Sequence, residues 1–198
     1  MMKLFERKPG RPVTINKENI TERCLEFYWT NGIDNNSFNE VIKYAGVSKG
    51  SIYRIYGSED VLQKSVLSKY FETVVNKRIK VHSKDSIKKY VMAITSSLIT
   101  NKSKPCLFYR TKTEKYKLGP VTRKFIGKME GDVKKSYIKM IKKDFKLNNK
   151  KINEADVIET ADYLINSMST LTLIKLNTNS HKSLSNFSKY LVKQFSKL

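Results

Sequence analysis

The sequence predicts an all-α chain of about nine helices, and three observations lead there. Apolar residues recur at three- and four-residue spacing along nearly the whole length, and capping residues stand at the starts of those runs. No segment shows the two-residue alternation of a strand, and no fixed-period repeat appears.

The first segment, RKPGRP at 7–12, is basic and broken by prolines, so it reads as an extended arm. Arg11 within it can reach into a narrow minor groove, where negative potential attracts arginine. Asn16 caps a helix from Lys17 to Asn31 that ends at Gly32, with Ile20, Cys24, Phe27 and Tyr28 on one face. Cys24 therefore reads as a small core residue. Ser37 stands three residues before Glu40, the spacing of a reciprocal N-cap, and Phe38, Val41, Ile42 and Ala45 follow on one side. Gly46 can take positive φ after that helix, and Ser48 can cap another beginning at Lys49. The pair forms a helix-turn-helix. Val47, Ile52 and Tyr56 face inward, Lys49, Ser51, Tyr53 and Arg54 face outward, and Gly50 leaves room for close approach, a surface that suits a major groove.

Ser58 caps a long fourth helix running to about Lys80, with a broad apolar face that touches two layers. A helix over 84–100 follows, with Ile87, Tyr90, Val91, Ile94 and Leu98 inward. Pro105 marks a first helical position for the next segment, and Gly119-Pro120 ends it. From Pro120 to about Leu147 apolar residues recur every fourth position from Val121 to Phe145, with Lys124, Lys128, Lys135, Lys139, Lys142 and Lys146 on a separate face. Asn153 caps a helix from Glu154 to Leu176, and the last helix runs from about His181 to Phe195.

With 198 residues the chain can bury a sizeable core. No apolar run approaches the roughly 20 residues needed to span a bilayer, and ERKPGRP follows MMKLF with no signal-like stretch, so a cytoplasmic protein without membrane partners is expected. Two cysteines suggest neither a disulfide framework nor a metal cluster. His82 and His181 read as isolated surface histidines, and no glycine-rich phosphate loop is present, so no catalytic residue, metal or cofactor is expected and the chain is not read as an enzyme. Cys106 has the one piece of reactive logic, as a thiol sensor: it follows Pro105 at a helix start, with Lys102 and Lys104 near. A small packed residue is the plainer role. The net charge of +21 is unevenly spread: residues 1–63 are almost neutral, so the excess lies in 64–198. Lysine-rich solvent faces explain it as well as a nucleic-acid patch does, and the claim of DNA binding rests on the motif.

That motif is AGVSKGSIYRIYGSEDVL, Ala45 to Leu62, which resembles the usual AGVSKGTLYRHFGSKEEL of TetR family transcription regulators. Ile55 and Glu59 depart from it, standing where a histidine and a lysine or arginine commonly contact the DNA backbone. PCLFY, from Pro105, is similar to a GCLLV stretch in a large subgroup. The resemblance implies a helix-turn-helix DNA-binding domain at 1–63 and a helical regulatory and dimerisation domain at 64–198. Arg11, Ser37, Asn39, Ser48, Lys49, Gly50, Ser51, Tyr53 and Arg54 would face a near-palindromic double-stranded operator. It further implies a homodimer through the two C-terminal helices, probing half-sites about 34 Å apart. A small-molecule inducer would enter an apolar cavity, tilt the fourth helix and release a repressor. Candidate wall residues are Phe71, Tyr90, Phe108 and Tyr109, with Phe125, Met129, Tyr163 and Met168 from later helices. The rival expectation is a dimeric small-molecule binding or interaction module with weakened DNA binding.

Overall fold

A computed structural model describes residues 16–33, 36–100, 104–148, 153–177 and 181–196, and these form helices and short connections with no strand. Helix α1 is Lys17–Asn31, α2 is Phe38–Ala45 and α3 is Lys49–Tyr56. Each starts at the side chain that the sequence puts there: Asn16 accepts from the Glu18 amide, Ser37 from Glu40 and Ser48 from Ser51. At Ser37 the Glu40 carboxylate returns to the serine amide at 2.8 Å, which completes a capping box. Gly46 is left-handed at φ 67°, and the Val47 and Gly46 amides bond back to Ile42 and Lys43, so α2 ends in a Schellman turn that aims α3.

The three helices share one core in which Cys24, Tyr28, Val41, Ala45 and Ile52 are fully buried. Burial pushes the Cys24 thiol up to about 12, as expected of a packed cysteine rather than a reactive one. Polar ties fix the helices' rotation. The Tyr56 hydroxyl donates to the Lys17 carbonyl at 2.9 Å, and Arg23 donates to the Ala45 carbonyl at 3.1 Å.

Helix α4 begins at Glu59 under a Ser58 cap and runs Glu59–Tyr70. It continues through a π-helical stretch, Phe71–Asn76, and ends as Lys77–Val81. A π turn holds an extra residue per hydrogen-bonded loop, so the side chains after it are turned relative to those before. The first part packs on α1 and α3, and α4 also packs on α7. Helices α5 (Ile87–Ile99), α6 (Leu107–Thr113), α7 (Pro120–Leu147), α8 (Glu154–Asn177) and α9 (His181–Phe195) complete the chain. Helix α7 lies against α8, while α9 lies on α5 and α8, and α6 fits against α8.

Three expectations need correction. Helix α5 starts at Ile87 rather than near Lys84, because Ser86 caps it and the buried Asp144 carboxylate takes the Ile87 amide at 2.6 Å. Helix α6 starts at Leu107; Cys106 is its N-cap with an extended backbone, so Pro105 lies before the helix. In α7 Val121 is 43% exposed, while Thr122, Ile126 and Met140 are buried. Four-residue steps drift by about 40° each against a 3.6-residue turn, so over this length the buried stripe moves to other positions. On α9, Tyr190 is 72% exposed. The lysines named for the separate face of α7 are all exposed. Among the described residues no helix is long and apolar enough to cross a membrane.

Candidate functional site

The outward side of α3 and the start of α2 form one surface. Lys49 and Arg54 are exposed, and Tyr53 is 44% exposed. Tyr53 is held edge-on against Phe38, with ring centroids 6.0 Å apart, and the Lys49 ammonium lies 5.9 Å from both ring centroids. A cation over aromatic faces is attracted by their quadrupoles, so Phe38 positions two groups that the sequence alone presented as independent. Gly50 is open, with no packed neighbour that a side chain would displace. Ser48 and Ser51 bond one another at 2.9 Å through their hydroxyls, on the same edge.

Ser37 is more committed than its sequence position suggests. Its hydroxyl donates to Glu40 at 2.9 Å, and the Glu40 carboxyl is held below its ordinary range by Ser37's backbone and side-chain donors. A phosphate at this helix start would have to compete with Glu40. Asn39 is exposed beside it. Glu59 is half-buried: Gln63 donates to it at 3.1 Å, burial raises its pKa, and the charge of nearby Lys49 works against that rise. Ile55 is packed against the core. Arg11 lies outside the described residues.

A second feature lies where α4, α5, α6 and α8 meet. A cavity of about 130 Å³ opens among Arg78, His82, Ile94, Cys106, Tyr109 and Met168. Of the eight aromatic and methionine positions picked from sequence, Tyr109 and Met168 lie on its wall. Tyr90 and Phe108 are buried in the core, as is Met129, and Phe71 is packed at its edge. Phe125 sits under the Lys64 ammonium at 5.5 Å, and Tyr163 stacks on Phe195 on an outer face. Apolar spacing marks a helix's buried side but does not say which buried residues meet a void.

Behind the wall lies a chain of hydroxyls. Tyr137 bonds Tyr109 at 2.7 Å and Tyr90 at 3.0 Å, and burial holds all three phenols well above their usual range. Tyr70 donates to the Cys106 sulfur at 3.3 Å and accepts from the Leu107 amide at 3.2 Å. His82 is not isolated: its Nδ1 lies 2.7 Å from Asp85, three residues on. Arg78, His82 and Lys104 were missed by reading the sequence for apolar walls. One signal was available, since Arg78 falls four residues after Val74 and three after Val75, a lone cation on an apolar stripe.

The segment carrying Lys104, Cys106 and Tyr109 also joins the cavity to α1. The Trp29 indole donates to the Pro105 carbonyl at 2.9 Å, Lys104 donates to the Thr30 hydroxyl at 3.0 Å, and Arg110 donates to the Asn31 carbonyl at 2.7 Å. A Cβ at Gly32, whose φ is 90°, would overlap the Arg110 guanidinium. A separate joint connects α4 to α7. Both Asp60 carboxylate oxygens accept amides at 2.9 Å, from Val121 and Thr122, and Thr122 donates back to the Asp60 carbonyl at 2.8 Å.

No family model matches the chain, and no curated protein matches it by sequence. Solved structures do match. E. coli NemR in its reduced form superposes with a TM-score of 0.73 at 16% identity, over 90% of this chain and 96% of that one. A TetR family regulator from Cytophaga hutchinsonii gives 0.76 at 17% identity, over 92% and 94%. A cysteine mutant of the TetR family regulator CifR, complexed with 26-bp double-strand operator DNA, gives 0.74 at 14%, over 93% and 98%.

Proposed function

The chain has the fold of TetR family transcriptional regulators, and we propose that it works as one: a ligand-responsive regulator that binds a near-palindromic operator as a homodimer in the cytoplasm. One observation carries this reading. The capped, Gly46-turned α2–α3 pair presents Lys49, Gly50, Ser51, Tyr53 and Arg54 on a single exposed face, with Lys49 and Tyr53 braced by Phe38. These groups supply donors for phosphates and base edges at a helix that fits a major groove. The sharing of fold with a regulator solved on operator DNA supports it.

In this reading residues 1–63 form the DNA-binding unit and 64–198 the regulatory one, with α4 beginning in the first and ending beside the cavity. The homodimer forms through α8 and α9, which leave Ile158, Tyr163, Leu176 and Tyr190 exposed, each by 36% or more. A small molecule in the cavity loosens the joints to α1 and α4 and releases a repressor from its operator. It can do so only by as much as it prefers the released state.

Selection of bound sequences from a random DNA pool tests the reading. A two-fold symmetric consensus, with affinity lost on Lys49→Ala and Tyr53→Ala, supports it; sequence-independent binding that survives both substitutions sinks it. A second trigger is favoured by one observation, the placement of Cys106 on the cavity wall with its sulfur accepting from Tyr70. Alkylation of Cys106 would then release DNA without any reversible ligand. If Cys106→Ser responds to an alkylating agent as the native protein does, that trigger is excluded.

A further inference from the structure

Arg78 lies on the last stretch of α4 and lines the cavity. Among the described residues it makes no ion pair and no hydrogen bond, although most of it is withdrawn from water. A guanidinium offers five N–H donors, and a charge taken from solvent without a partner costs several kcal/mol. Cys106, Tyr70, Tyr90 and Tyr137 lie close enough to interact with it, and burial keeps the three phenols neutral at neutral pH, so none of the tyrosines supplies an anion. No aspartate or glutamate is on the cavity wall among the described residues; of the two acids nearest in sequence, Glu72 is exposed and off the wall, and Asp85 is engaged by His82. Lys104 adds a second positive group at the rim.

The rest of the wall is largely apolar, with Ala93, Ile94, Leu98 and Met168. A void of about 130 Å³ is close to the roughly 150 Å³ that holds a benzene. An arginine fork pairs with a planar carboxylate through two parallel bonds. Taking the cavity as the regulatory site proposed above, we infer that it binds a small monocarboxylate, its charge on Arg78 and its compact apolar body against Ile94, Leu98 and Met168.

Calorimetric titration of the full-length protein with benzoate, benzamide, propionate and inorganic phosphate tests this, with Trp29 fluorescence as a second readout. Trp29 is the one tryptophan, and it is bonded to the residue before Cys106. Benzoate is expected to bind at least tenfold more tightly than benzamide. Arg78→Gln should erase that preference, and Arg78→Lys should keep part of it. Equal binding of benzoate and benzamide, phosphate binding more tightly than either carboxylate, no carboxylate binding, or an undiminished preference in Arg78→Gln would each overturn the inference. Should Arg78→Gln fail to fold, the native pair of ligands and Arg78→Lys decide it. Operator affinity measured alongside separates the two claims. Carboxylate binding that leaves operator affinity unchanged refutes the ligand response and leaves this site standing, whereas operator binding with no carboxylate bound refutes the site alone.

Discussion

The indole N–H of Trp29 donates to the carbonyl oxygen of Pro105 at 2.9 Å, so the last turn of α1 is fastened to the residue that precedes the cavity-wall cysteine. Trp29 also packs edge-on against Tyr70, the hydroxyl donor to that cysteine, with ring centroids 5.0 Å apart. The helix bundle of α1–α3 is therefore tied to the cavity-wall segment directly, through Trp29, as well as through α4.

Trp29→Phe keeps an aromatic ring at this place and removes the hydrogen bond. It is expected to lower stability by about 1 kcal/mol in urea unfolding, the usual worth of one such bond. A change within about 0.3 kcal/mol would show that the Pro105 carbonyl finds another donor without loss.

Two glycines should respond in opposite directions. Gly32→Ala places a side chain at φ 90° and against the Arg110 guanidinium, which must leave the Asn31 carbonyl; a loss of about 2 kcal/mol or more is expected. Gly127 lies inside α7 with nothing within 4 Å of an added Cβ. Gly127→Ala is expected to gain about 0.5–1 kcal/mol, because alanine loses less backbone freedom in a helix. Thermal unfolding of the two variants checks both signs.

The Asp60 joint should show in acid. Burial works against its ionisation, but the donors Thr122 and Val121 outweigh it, and the carboxyl is held below its ordinary value. Since the folded value lies beneath the unfolded one of about 3.9, the stabilisation is complete above that pH and is lost as pH falls through the folded value. The stability gap between the native protein and Asp60→Asn should accordingly shrink between pH 6 and pH 3. A gap that stays constant or widens would contradict the assignment.

For the proposed DNA surface, Arg54→Ala is expected to weaken operator binding about tenfold and to lower the slope of log affinity against log salt by about one. Unchanged salt dependence would mean that Arg54 touches no phosphate. Since α3 is capped from Ser48 and buries Ile52 and Tyr56, neither of which this substitution touches, circular dichroism should remain native.

Much of this architecture was legible because its determinants are local. Asn16, Ser37, Ser48 and Ser58 each cap the helix that follows, and Gly46 takes the left-handed turn that its position demands. What was not legible depends on residues distant in sequence. The start of α5 is shifted by Asp144, which lies 57 residues away, and Glu59, read as the loss of a phosphate partner, accepts a hydrogen bond from Gln63. The cavity was the hardest to foresee. Its wall joins residues from α4, α5, α6 and α8, and no spacing within one helix announces which of them face empty space.

Gly119 sits directly under the Asp60 carboxylate, where any side chain would collide with it. The two positions are therefore coupled in sequence variation: a chain of this fold that acquires a larger residue at 119 must swing the acid at 60 off the joint or lose it. Tabulating that pair across natural sequences would show which of them keep the α4–α7 joint, before any protein is made.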